Sequence, residues 1–193
     1  MSRIILITLA LIASSSPVEA QLCKWDKPEP ETEQSNWDQN KKSDQLWDAW
    51  FKKVRFEFPK RVSLVYASMY PNLSKSPTYS RLAFDIDTKE QAILKVHQQE
   101  KSDFSDFCKQ SLGRLLQCST LKPPNDDVLN PRRNFIIVFQ TSTKSAAEVK
   151  PQSLSQADVD YLLGLDSSEI KDLLNLPSKD LRKALDSRKT SMR

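Results

Sequence analysis

Apolar positions in residues 46–58 (LWDAWFKKVRFEF) fall on one helical stripe. Trp47, Trp50, Phe51, Val54 and Phe58 recur at three- and four-residue spacing, while Asp48, Lys52 and Arg55 face elsewhere. The segment predicts an amphipathic helix whose aromatic face seeds a core and whose basic face stays in water. Ser35 with Asp38, or Ser43, can cap its start, and Pro59 is expected to stop it. In residues 59–70, Val62, Val65, Tyr66 and Met69 again match helical spacing, and Pro59 suits a first turn, so a second helix is expected.

The period then changes. In residues 81–87 (RLAFDID), Leu82, Phe84 and Ile86 alternate with polar positions, and residues 92–96 can alternate too. With 88–91 as connection they predict a β-hairpin. Residues 102–119 return to helical spacing, with Phe104, Phe107, Cys108, Leu112 and Leu115 as the buried stripe. Residues 134–141 (NFIIVFQT) have a β-branched and aromatic centre and read as a buried strand. Short Leu-rich helices follow: Ser155 caps the first, Ser167 or Ser168 the second, and Pro177 precedes the third. Helices this short need something to pack on, either the sheet or a partner.

The start of the chain changes the compartment. Arg3, the apolar run 4–13 and the small residues Val18 and Ala20 read as a secretory signal peptide over residues 1–20. The run is too short for a membrane span, which needs ~20 apolar residues. Residues 21–42, with Pro28, Pro30 and an acidic excess, read as an extended N-terminal arm. The expected order is then a main α+β domain over 43–142, a polar linker over 143–153, a short-helix subdomain over 154–187 and a frayed tail over 188–193. The fold class is α+β: a helix-majority single domain with a small antiparallel sheet and a C-terminal set of short helices. The expected location is secreted, extracellular, with no transmembrane segment.

Composition narrows the chemistry. The chain has only two Gly, which removes every Gly-rich phosphate loop. Its single histidine, His97, and three cysteines without a CxxC pair exclude the common zinc sites, so no metal and no cofactor is expected. In an exported protein two of Cys23, Cys108 and Cys118 should pair. On one continuous helix Cys108 and Cys118 would lie about 15 Å apart, too far to bridge. Cys23 with Cys108 or Cys118 is therefore the expected disulfide, unless the helix breaks near Gly113. Asn72, in Asn72-Leu73-Ser74, is the glycosylation sequon.

Asp85 and Asp87, at i and i+2 of a strand, would project side by side and could serve acid–base work; His97 is the other conceivable base. Solvated polar faces account for all three residues more simply, and the reading leans away from an enzyme. The net charge of +4 is too mild for sequence-specific nucleic acid. It is placed unevenly, though. Lys52, Lys53 and Arg55 on the first helix and Lys183 near the end are candidates for an anionic partner, a sulfated glycan or an anionic surface. The sequence thus points to a secreted, non-catalytic interaction protein that binds another protein at an extracellular surface. The alternatives are a carrier of a small apolar ligand, with Trp and Phe lining a pocket, and a small hydrolase using Asp85/Asp87 or His97.

Overall fold

A computed structural model describes residues 30–73, 76–125, 128 and 132–190, with the backbone alone for 30–38, 133 and 188–190. The expected signal peptide, Cys23, the first part of the expected arm and the last three residues lie outside the described residues.

One helix organises everything else. α1 runs unbroken over Pro30–Met69, 40 residues, about 60 Å at 1.5 Å per residue. Its start corrects the extended arm expected over 21–42, because residues 30–42 are helical. Ser43 is accordingly no cap. It lies inside the helix, buried, and its hydroxyl accepts a hydrogen bond from Arg132. Pro59 does not stop the helix either. An interior proline costs ~3 kcal/mol, and here burial offsets it: every residue from 61 to 68 is buried, with Phe58, Val62 and Val65 fully enclosed.

The sheet follows as β1 (Thr78–Asp87), β2 (Ala92–Gln98) and, later in the chain, β3 (Arg132–Thr141). All pairing is antiparallel, in the order β2-β1-β3. The β1–β2 hairpin is the one the alternation predicts. Its connection works without glycine: Gln91 takes the left-handed conformation at φ 49. Asp87 accepts the N–H groups of Lys89 at 3.0 Å and Glu90 at 3.1 Å. β3 is not a buried strand. Among the described residues it lies at the sheet edge, with Ile137, Phe139 and Thr141 inward and Ile136 and Val138 exposed.

α2 (Asp103–Leu112) starts on a Ser102 side-chain cap and stops at Gly113, shorter than the helix expected to Ser119. Two 3-10 turns, Leu115–Gln117 and Ser119–Leu121, carry the chain on. α3 (Thr143–Ala147) lies within the expected linker. That stretch is tied down: the Gln152 N–H donates to the Ser68 carbonyl at 2.8 Å, and its side-chain amide donates to the Leu174 and Leu176 carbonyls, each at 3.0 Å. α4 (Gln156–Gly164), α5 (Ser167–Leu174) and α6 (Ser178–Thr190) complete the chain. Ser155 caps α4 as predicted, but α5 is capped by Asp166, one residue before the predicted serines.

The architecture is α+β and helix-majority, with one core. α1 packs on the sheet along one side and on α3, α4 and α5 along others, while α2 packs on β1, β2 and α1. Of the Leu-rich helices, α4 and α5 cover α1 and α6 packs on α5, so the surface they need is within the chain. No helix among the described residues is long and apolar enough to cross a membrane.

Candidate interaction surface

The aromatic stripe of α1 is spent on the core. Trp47 meets Trp50 edge-on at 5.3 Å, and both rings pack against Phe135 at 5.9 and 6.0 Å. Phe51 reaches Phe135 at 4.8 Å, Phe84 stacks on Phe135 at 5.7 Å, and Phe58 meets Phe139 at 6.2 Å. Trp50 Nε1 donates to the Leu121 carbonyl at 2.9 Å. These rings fill space against one another, which leaves the carrier reading without a lined chamber in this cluster.

The carboxylate pair is likewise occupied by the backbone. β1 pairs with one bulge in each neighbour: Lys95 and Val96 oppose Phe84, and Arg133 and Asn134 oppose Asp85. Lys95 and Asn134 have positive φ, 50 and 65. Asp85 links the two irregularities. One carboxylate oxygen accepts the Asn134 N–H at 3.0 Å, and the other lies 3.7 Å from Lys95 Nζ. Asp87 holds the hairpin turn. His97 lies exposed on β2, opposite Ala83. Among the described residues no group of three His, Cys, Asp or Glu could hold a metal ion.

Cys108 and Cys118 are not bonded to each other, and both are buried. Burial pushes the Cys108 thiol far above its usual range. Burial also raises Cys118, with the Arg61 guanidinium pulling the other way. Neither forms a reactive thiolate at neutral pH. Arg61 itself is only 1% exposed: Nη1 donates to the Leu163 carbonyl at 3.4 Å, and Nε has no partner. Arg61 thus lies between α1 and α4, out of the solvent that its basic neighbours on α1 meet. Asn72 is exposed just beyond α1.

The predicted basic residues are all exposed. Lys53 is tied to the Thr120 carbonyl at 3.2 Å, and Arg55 stacks over its neighbour Phe56 at 5.1 Å. Lys183 lies on α6, and no hydrogen bond or ion pair joins it to the others among the described residues. What the structure adds lies one and two turns further along α1. Lys52, Phe56 and Lys60 recur at four-residue spacing and share a face, and Phe56 is 66% exposed. Their stripe runs into a groove of about 400 Å³ lined by Pro59, Lys60, Ser63 and Leu64 of α1, Val138 and Gln140 of β3, and Ser142, Lys144, Ser145 and Glu148 beyond it.

None of that lining comes from β1, so the groove follows the side of β3 that pairs with no described strand. Ser63 and Ser145 hydroxyls meet at 2.9 Å and hold α3 against α1 as one wall. The charge is lopsided. Glu148 is engaged by Lys171 at 3.5 Å, whereas Lys60 and Lys144 have no ion-pair or hydrogen-bond partner among the described residues. Arg81, exposed on β1 directly opposite Val138, is equally uncommitted.

Sequence reasoning singled out none of Lys144, Val138 and Gln140. The one available signal was that residues 134–141 combine strand-forming residues with no charge and no proline. No family model, no curated protein and no solved structure matches this chain.

Proposed function

We propose that this chain is an exported, non-catalytic interaction protein that binds another protein at an extracellular surface through the β3 edge and the adjoining face of α1. The supporting observation is the groove beside β3. It runs along the uncharged part of β3, it carries the exposed Val138 side chain, and its Lys60 and Lys144 have no ion-pair partner among the described residues. Protein partners commonly engage such features, since an unpaired edge offers backbone donors and acceptors in a fixed row. The same reading keeps Asn72 as a glycan acceptor and Cys23 as the disulfide partner of Cys108 or Cys118.

A photo-crosslinking side chain placed at Gln140, and separately at Asp172 on the exposed face of α5, tests the reading in native extracellular fluid. Gln140 should yield a discrete protein adduct that excess unlabelled chain competes away, and Asp172 should not. Equal labelling from both positions, or none from Gln140, would count against the proposal.

A further inference from the structure

We infer that the groove takes an extended acidic peptide segment, which adds to β3 as a fourth strand; this rests on the protein-binding reading above. Three observations converge on that occupant. The first is the edge itself. β3 is a ten-residue strand with a partner on one side only among the described residues, so alternate N–H and C=O groups point into the groove. From Asn134 to Thr141 it has no lysine, no proline and no acid, the usual means of blocking an edge.

The second is the fit. The groove lies along Val138 and Gln140 with α1 and α3 as walls. An added strand would sit about 4.8 Å from β3, where a small apolar side chain meets Val138. The third is charge. Lys60 and Lys144 lie within the groove and Arg81 beside it, while Glu148 is already held by Lys171. A second copy of this chain would bring its own Lys60 and Lys144 to the same seam, like charge against like. An acidic strand reverses that sign. Its carboxylates, on alternate residues, would meet the lysines while its backbone completes the ladder.

The test uses a capped peptide alternating glutamate with valine or threonine, titrated into the purified protein by fluorescence anisotropy. Four controls accompany it: the same peptide with lysine for glutamate, two versions methylated at alternate backbone amides in the two possible phases, and a sulfated oligosaccharide of similar charge. The acidic peptide should bind and weaken as salt rises. The lysine version should not bind, and backbone methylation should abolish binding in one of its two phases. Lys60→Glu with Lys144→Glu should weaken the acidic peptide roughly tenfold or more, and circular dichroism should show the variant folded.

Equal binding of both methylated phases and of the sulfated oligosaccharide would overturn strand addition in favour of plain charge capture. Concentration-dependent dimerisation that excludes the peptide would overturn it in favour of a second copy. If the peptide fails while the Gln140 crosslink persists, the segment class is wrong and the protein-binding reading stands. If both fail, both fall.

Discussion

The two edges of the small sheet are built to opposite specifications. β2 carries Lys95 in its middle, in the left-handed conformation, at a bulge that breaks the ladder. Those are two of the devices that keep a strand edge from recruiting another chain. β3 has its bulge too, at Arg133 and Asn134, but near its start; from Phe135 to Thr141 the pairing is regular and uncharged. Exposed Val138 and Ile136, at 51% and 42%, mark its outer face. One edge is closed by its own residues, and the other is open along the stretch where α1 and α3 form walls. Within one sheet of three strands, that asymmetry supports the proposal that a partner adds on the β3 side.

Phe139→Ala should produce the largest effect. Phe139 is fully buried beneath β3 against Phe58, so its loss should cost about 3–5 kcal/mol in urea unfolding and loosen the open edge before the closed one. A cost under about 1 kcal/mol would mean that β3 is not anchored as described. Asp85→Ala comes next. It leaves the Asn134 N–H without its acceptor and removes the group that links both bulges, for about 1–3 kcal/mol. Amide exchange should then rise on both edges together; a rise on one edge alone would contradict the link.

Val138→Lys sharpens the comparison by giving β3 the guard that β2 already has. Stability should change by less than about 0.5 kcal/mol, while the Gln140 crosslink disappears; retention of the adduct would move the docking site elsewhere. The smallest effect lies away from both edges. The Glu169 and Ser168 N–H groups and the Ser168 hydroxyl hold the Asp166 carboxyl below its ordinary 3.8. Its capping contribution is therefore present above that pH and lost as pH falls through the depressed value. Acid titration should loosen α5 in wild type, and Asp166→Asn should flatten that acid limb without altering either edge.

Much of this fold was legible because local periodicity and tertiary demand agree. The hairpin, the inward stripe of α2 and the aromatic face of α1 each follow from side-chain spacing alone. The continuity of α1 was not legible. Pro59 opposes a helix locally, and only the enclosure of residues 61–68 overrides it. The cap of α5 was misplaced by one residue because Asp166, Ser167 and Ser168 all have capping side chains, and backbone geometry alone selects Asp166. The basic faces of α1 were visible as charge, but Arg61 is buried and Lys53 is engaged by Thr120. The groove could not be read at all. It is assembled from side chains of α1, β3 and the segment after β3 that lie far apart in the sequence, and strand order, which makes β3 an edge, is a property of the folded sheet.

Residue-resolved amide hydrogen exchange, with and without the acidic peptide, tests the open edge most directly. Alternate amides between Phe135 and Gln140 should exchange quickly in the free protein and become protected when the peptide binds, while the β2 amides stay unchanged. Protection of those β3 amides before any peptide is added, or new protection confined to β2, would contradict the account.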